Sequence, residues 1–450
     1  MIAYQIFGVH DWAARLVPTL AGILVVLVTY LWALRTLGLR AALIGSLTLC
    51  LSPRFLYMDS MVSMDGLLCL WVVAGLACGH VAMATRSQES EARSQELQCR
   101  NFASVKYHSA PDSCLRTPVS FFWWLLSALF CALGVLTKGP VALVLILGPM
   151  AAWCFLGRRN GRVRAGWWLV YVGVVVLVAG PWYVAAALRD PDAAETFFWL
   201  HNVVRYVSPF DHVKPVWYYL PGVLLGLLPW SLLLVPLCYQ AARNRLPRLT
   251  PRLAGTGFFV LSGLWCLVFF SLSGSKRPGY ILPALPPLAI TLGTFSVRAI
   301  QWSARAKAAA GVCAGAVAVA VLIASQTWLT EYHRHYALRD LVQPHAEVGR
   351  ELMVVSYPKC WDSVSFYLGR EVACFGIDER TELYRRLENQ GTLMFVKNDK
   401  SGADLIGDLP TSLEFVPCGP HGLNIRAGIV RKRHANSVLT KEQLQPALLP

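Results

Sequence analysis

The chain reads as an all-α polytopic membrane bundle of about ten transmembrane helices with a small C-terminal α/β domain. Three observations carry that expectation. Hydrophobic residues fill 55% of the 450 positions against 15% charged, with a mean hydropathy of +0.47, a balance unsuited to a water-soluble globule. Apolar runs of roughly 17 to 25 residues, the length that crosses a bilayer core, recur along the chain. From about residue 332 the composition changes to that of a soluble domain.

In order, the apolar runs fall at about 16–35, 40–57, 64–84, 119–137, 140–157, 166–188, 216–240, 254–273, 279–297 and 308–329. Those at 40–57 and 140–157 are short enough to be tilted or broken. Residues 85–118 are polar and low in complexity, which predicts a flexible cytoplasmic insertion without chemistry. The expected division is a membrane domain over 1–330 and a soluble domain over 331–450. Within the latter, ELMVVSY and GTLMFVK read as strands and RTELYRRLENQ as a helix, a small α/β pattern.

Eight of the thirteen cysteines (Cys50, Cys69, Cys78, Cys131, Cys154, Cys238, Cys266 and Cys313) sit in apolar runs without paired spacing and act there as small hydrophobes. Cys360, Cys374 and Cys418 lie in the soluble-looking region, where two of them can form a disulfide.

Charge orients the bundle. If the first span runs outside to inside, one set of short loops carries Arg35, Arg40, Arg158, Arg159, Arg162, Arg164, Arg243, Arg245, Arg248, Arg252, Arg298, Arg305 and Lys307, with no acid. The opposite face holds Arg54, Lys138, Arg189, Arg205, Lys214, Lys276 and Arg277 together with Asp59, Asp65, Asp190, Asp192, Glu195 and Asp211. The positive-inside rule makes the first set cytoplasmic, so the second face and the C-terminal domain are expected outside. Topology thus accounts for most of the +15 net charge, and no nucleic-acid partner is needed.

Every candidate functional residue falls on that second face. The polar segment from Leu188 to Leu220, too charged for lipid and rich in aromatics that include Tyr218, suits a membrane–water boundary and reads as the wall of a site. Asp59 and Asp65 flank the third span; an acid there either faces a polar cavity or favours the N-terminus of the helix beginning beside it. Lys138, in the Thr137-Lys138-Gly139-Pro140 turn, is the single cation between two spans and either binds an anion or snorkels to headgroups. His201 and Arg205 at i, i+4, with Asn202, would bind a phosphate or sugar from a short interfacial helix, or rest on lipid phosphates. In Ser275-Lys276-Arg277-Pro278-Gly279-Tyr280, two cations and a phenol compose a phosphate clamp, and Pro283, Pro286 and Pro287 force irregular backbone, tolerated at membrane depth where it lines a cavity.

The motifs TKGPVAL, PWYVAAALRDP with FFWLHNVVRY and PVWYYLPGVLLGLLPWSLLL, and FSLSGSKRPGYILPALPPLA resemble the bacterial members of the protein O-mannosyltransferase and aminoarabinose (lipid A) transferase superfamily. FGVHDWAARLVPTLAGIL is also typical of these integral-membrane GT-C glycosyltransferases, and the resemblance runs over roughly residues 4–330. It implies a hexosyl- or pentosyltransferase. A polyprenyl-phosphate sugar would be the donor, and a glycolipid such as lipid A, a polysaccharide or a protein the acceptor, at the outer face of a bacterial plasma membrane. By resemblance Lys138, Arg205, Lys276 and Tyr280, with neighbouring Arg277, would hold the donor phosphate. Asp65, with Asp59 beside it, would serve the chemistry, and His201, Asn202 and Tyr218 would line the substrate cavity.

The family's catalytic aspartate lies in a first loop ahead of the segment that MIAYQIFGVHDWAARL matches. The expectation is a start assigned too late, the alternative an inactive truncated paralogue or scaffold. Asp11 reads as the helix cap at the start of the first span rather than as a substitute base. No cofactor is assigned: a divalent metal in the full-length family would draw on ligands not identifiable in this chain. His333 and His335 read as a solvated junction rather than metal ligands. A transporter would show two corresponding halves and midplane charges, which this sequence lacks.

Overall fold

The computed structural model describes residues 2–8, 10–59, 61–102, 119–156, 163–191, 204, 206, 212–235, 238–239, 243, 255–298, 303–327, 338–345, 351–418 and 424–433. The chain divides into two compact units, Met1–Ala318 and Val319–Pro450, the division falling inside the last apolar helix rather than just after it.

The first unit is helical. After a short α1 (Ile2–Phe7) come α2 (Asp11–Leu37), α3 (Leu39–Cys50), α4 (Pro53–Asp59), α5 (Met64–Phe102), α6 (Val119–Lys138), α7 (Val141–Leu156) and α8 (Ala165–Arg189). There follow α9 (Tyr219–Gly226), α10 (Gly257–Leu272), a 3₁₀ segment over Pro278–Ala284, α11 (Leu285–Arg298) and α12 (Ala304–Gln326). Among the described residues five helices are long and apolar enough to cross a membrane, and five shorter apolar ones accompany them, as expected of a multi-pass membrane protein. The expected span at 40–57 is indeed broken, at Ser52-Pro53, where the ring lacks an N–H to continue α3.

Three local expectations are corrected. α2 begins at Asp11 itself, with His10 in the capping position and no side-chain cap bond. Residues 85–102 of the expected flexible insertion continue α5 as helix, because Gln, Glu, Arg and Ala are good helix formers whether or not a bilayer surrounds them. The apolar run 216–240 is not one continuous helix: α9 ends at Gly226, and Pro229 interrupts the ladder before a 3₁₀ turn at Trp230–Leu233.

α5 lies at the centre, 83% buried over its apolar window, whereas the corresponding window of α8 is only 17% buried and presents its apolar surface outward. With lipid as apolar as leucine, helix association here rests on close approach and polar contacts. Gly45 of α3 and Gly293 of α11 meet backbone to backbone: a Cβ on Gly293 would fall 2.6 Å from the Gly45 nitrogen. Ser127 Oγ donates to the Gly75 carbonyl at 2.7 Å, and the Trp32 indole N–H donates to His80 Nδ1 at 3.0 Å, each tying α5 to a neighbour.

The second unit is a five-stranded mixed sheet. In chain order it contains α13 (Arg339–Val342), β1 (Met353–Tyr357), α14 (Asp362–Leu368), β2 (Ala373–Cys374), α15 (Arg380–Asn389), β3 (Thr392–Lys397), α16 (Lys400–Gly407), β4 (Leu413–Cys418) and β5 (Ile425–Lys432). The strand order is β2-β1-β3-β5-β4, with β2 and β3 parallel to β1 and β5 antiparallel to both of its neighbours. Alternation along β1 sends Val355 and Tyr357 to one core with Leu383 and Leu387 of α15. Val354 goes to the other core with Val364 of α14, so helices cover both faces. The disulfide joins Cys360 to Cys374, and Cys418 is a free thiol.

Candidate functional site

The helix ends bring the candidate residues together. Asp65 is the second residue of α5 and Lys138 the last of α6, and these neighbouring helices run antiparallel. The Lys138 ammonium donates to Asp65 Oδ1 in an ion pair. Each charge also sits at the helix end whose dipole favours it. Both side chains are partly open, 20% for Asp65 and 30% for Lys138, so the pair is neither sealed in the core nor fully hydrated. α6 stops there because Gly139 takes φ 82°, the left-handed region glycine enters without strain, and donates its N–H to the Val135 carbonyl at 2.8 Å. Beside Lys138, the Trp71 indole donates to Thr137 Oγ1 at 3.1 Å and fixes the last turn of α6 against α5.

The Pro278–Ala284 segment closes the third side. Gly279 lies flat against the Asp65 carboxylate: a Cβ there would meet Asp65 Oδ2 in a contact no real Cβ makes and Asp65 Cγ at 2.9 Å. The next side chain, Tyr280, places its ring 4.8 Å from the Lys138 ammonium, a cation–π contact. Lys138 therefore has a carboxylate on one side and a phenol ring on the other. An ammonium with three donors held this way keeps capacity for a further acceptor.

Lys276 and Arg277 do not converge as a clamp. Arg277 has extended backbone (φ −113°, ψ 147°), so adjacent side chains point apart: Arg277 is exposed, while Lys276 is 3% exposed. The Lys276 ammonium donates to the carbonyls of Lys214, at 3.1 Å, and Ser273, and burial pushes it below the usual lysine range. It staples the aromatic segment to the turn after α10. The same seam carries the Val213–Ser275 antiparallel bridge and backbone bonds from Lys276 to His212 and from Gly274 to Tyr206, each 3.0 Å. Tyr218 is half-buried, its ring edge-on to Tyr219 at 5.1 Å. Asp59 ends α4, and nothing is described of its side chain. His201, Asn202 and Arg205, like His333 and His335, lie outside the described residues.

Two residues not singled out in the sequence support the site. Arg54 donates from Nη1 to the Gly222 carbonyl at 3.3 Å and from Nη2 to the Pro278 carbonyl at 3.1 Å. Gly222 and Gly226, four apart on α9, leave the groove in which it lies: a Cβ on Gly226 would be 2.6 Å from Arg54 Cβ. Tyr219 donates its hydroxyl to the Arg277 carbonyl at 3.0 Å. Both hold the backbone that carries Gly279 and Tyr280. The i, i+4 glycines of PGVLLG were the available sequence signal for the first. Among the described residues no group of three His, Cys, Asp or Glu could hold a metal ion.

The family profile of dolichyl-phosphate-mannose-protein mannosyltransferases matches residues 2–99. An undecaprenyl phosphate-alpha-4-amino-4-deoxy-L-arabinose arabinosyl transferase of Erwinia tasmaniensis is 28% identical over 349 residues, 76% of this chain and 56% of the relative. The Yersinia enterocolitica protein of the same description is 30% identical over 303 residues, 66% of this chain and 47% of the relative. The crystal structure of ArnT from Cupriavidus metallidurans bound to undecaprenyl phosphate superposes with a TM-score of 0.65 at 20% identity. That superposition covers 95% of this chain and 86% of that one. At that identity the likeness shows a shared fold. The chain spans about half the length of the curated relatives it matches. In this chain the Asp65–Lys138 pair, Gly279 and Tyr280 lie together at one end of the helical unit, and Lys276 bonds within the protein.

Proposed function

We propose that the chain is a membrane glycosyltransferase that moves a pentose or hexose from a polyprenyl-phosphate donor to an acceptor hydroxyl or phosphate. The acceptor class is a glycolipid such as lipid A, a polysaccharide or a protein. The observation that carries this reading is the Lys138 ammonium set between the Asp65 carboxylate and the Tyr280 ring. A cation poised where helix ends meet the membrane boundary suits a lipid phosphate. In the transfer the bond from sugar C1 to phosphate oxygen breaks, the phosphate departs with the electron pair, and the acceptor oxygen bonds C1 while any proton it carries passes to solvent. Neutralising the departing phosphate and aligning the acceptor are then the main tasks.

In this reading Lys138 binds the phosphate, with Arg205 and Arg277 as further cations, and Tyr280 supplies a phenol beside it. Asp65 acts through Lys138 as a positioning residue: its Oδ1 accepts from the Lys138 ammonium, and its Oδ2 faces Gly279. Lys276 supports the wall instead of touching the donor. The arginine-rich loops are cytoplasmic, so the site and the C-terminal unit face outward from a bacterial inner membrane. Support comes from the one-sided charge distribution and from relatives whose descriptions name undecaprenyl phosphate-aminoarabinose.

The test is transfer from a radiolabelled undecaprenyl-phosphate aminoarabinose to lipid A by the purified chain in proteoliposomes. Lys138→Met is expected to raise KM for the donor by about tenfold or more, the worth of one charge-assisted hydrogen bond. Asp65→Asn is expected to raise the same KM while leaving the acidic limb of the kcat–pH profile in place. Loss of that limb would instead make Asp65 the general base. Wild-type KM in Lys138→Met would remove the phosphate assignment.

A further inference from the structure

A second cationic site lies at the opposite end of the same helices. α5, α6 and α8 present residues 86–89, 119–124 and 164–168 there, the end of one span and the starts of two. Arg86, one turn before the end of the α5 span, stacks its guanidinium 4.4 Å from the Trp167 ring centroid. Its Nη1 is buried and has no hydrogen-bond partner among the described residues. A buried, charged donor left unmatched is costly and calls for an acceptor. Glu89 lies within electrostatic reach, but its two oxygens are engaged by Ser120, accepting from Oγ at 2.6 Å and from N–H at 3.3 Å.

Arg164 adds a second guanidinium within electrostatic reach of Arg86. It is exposed and forms the N-cap of α8, where no side chain caps the helix. Trp167 itself is fixed: its carbonyl accepts from the Trp124 indole at 2.8 Å, and its ring packs edge-on to Phe121 at 5.0 Å. Among the described residues, two guanidiniums and an uncapped helix N-terminus thus outweigh a single acid already in use. From this end α8 runs on with an outward apolar surface, Leu169 74% and Leu177 75% exposed.

We infer that Arg86, Arg164 and the Trp167 ring bind the phosphodiester headgroup of an anionic phospholipid, whose acyl chains lie along the outward face of α8. Planar guanidinium forks match phosphate oxygens, and basic pockets between membrane helices suit anionic lipid headgroups. The shared chemistry, a phosphate oxyanion, would also admit free phosphate, but the apolar track beside the site favours a lipid. This site is separate from the Lys138 pair and does not depend on the proposed transferase activity.

The experiment is native mass spectrometry of the full chain released from nanodiscs and titrated with dioleoylphosphatidylglycerol, dioleoylphosphatidylcholine or inorganic phosphate. The wild type should retain phosphatidylglycerol over phosphatidylcholine, and Arg86→Gln should weaken that retention on the order of tenfold. Arg164→Gln, at an exposed position, should weaken it in the same direction and decides the matter if Arg86→Gln fails to fold. Arg35→Gln, which removes an arginine stacked 5.1 Å from the Trp123 ring centroid, is the control and should retain the lipid as the wild type does. Unchanged retention in folded Arg86→Gln, or in Arg164→Gln where that variant decides, overturns the site. Equal loss in Arg35→Gln, or displacement of the lipid by millimolar inorganic phosphate, also overturns it, the second reducing it to an adventitious ion only.

Discussion

Asp65 and Lys138, 73 positions apart, form an ion pair because α5 begins and α6 ends at the same level of the bundle. Neither side chain is buried enough for the pair to be a core strut, and neither is exposed enough for solvent to make it negligible. Removing one partner should therefore expose the role of the other. In Asp65→Asn the chain should still insert and fold. The Lys138 ammonium would lose its anchor, and affinity for undecaprenyl phosphate should fall by roughly tenfold, the scale of one charged hydrogen bond. A lipid-binding titration on detergent-purified protein checks this, with melting temperature as the control for folding.

Gly279 is expected to tolerate no side chain. Gly279→Ala places a methyl group against the Asp65 carboxylate and must push apart α5 and the Pro278–Ala284 segment. An overpacked contact of this kind costs about 1–3 kcal/mol. Thermal unfolding in detergent should show the loss, and donor binding should weaken with it. A melting temperature and affinity both equal to wild type would mean that this close approach is absent.

Arg54 should resist conservative replacement. Its fork reaches two carbonyls on different segments, Gly222 and Pro278, which a lysine point charge cannot span in the same way. Arg54→Lys and Arg54→Met are both expected to destabilise the protein by about 1–3 kcal/mol, the cost of leaving such groups unpaired. Increased hydrogen exchange of the Tyr280 and Ile281 amides would locate the damage.

Much of this arrangement was legible in the sequence, for identifiable reasons. Apolar length marked the spans because a bilayer demands it, and the strands at Met353–Tyr357 and Thr392–Lys397 stood out as short apolar runs. Asp65, Lys138 and Tyr280 were each singled out by polarity at a span end, yet their mutual contacts depend on which helices are neighbours, and no local pattern encodes that. Lys276 shows the limit most clearly. Adjacent to Arg277 it suggested a paired clamp, but a backbone carbonyl at Lys214, 62 positions away, takes its ammonium. In the sequence Arg54 reads only as a topology charge, because a single arginine after a proline carries no site pattern. The polar stretch after residue 85 looked flexible because composition alone does not distinguish a solvated helix from a coil.

In the C-terminal unit, the Cys360–Cys374 bridge closes a 14-residue separation between the loop after β1 and β2. A loop of that size contributes about 3 kcal/mol in the chain-entropy account. Cys374→Ser should lower hydrogen-exchange protection of β1 and β2 by an equivalent amount, while protection of β4 and β5 changes less. Uniform loss across the sheet would show that the unit unfolds as one block.

The most direct test of the site is the affinity of the purified full chain for undecaprenyl phosphate with and without the Lys138 charge. Lys138→Met should weaken binding by about tenfold or more while the protein stays folded. Lys276→Met should instead lower the melting temperature first. Undiminished binding in folded Lys138→Met would contradict the assignment of this cation to the lipid phosphate.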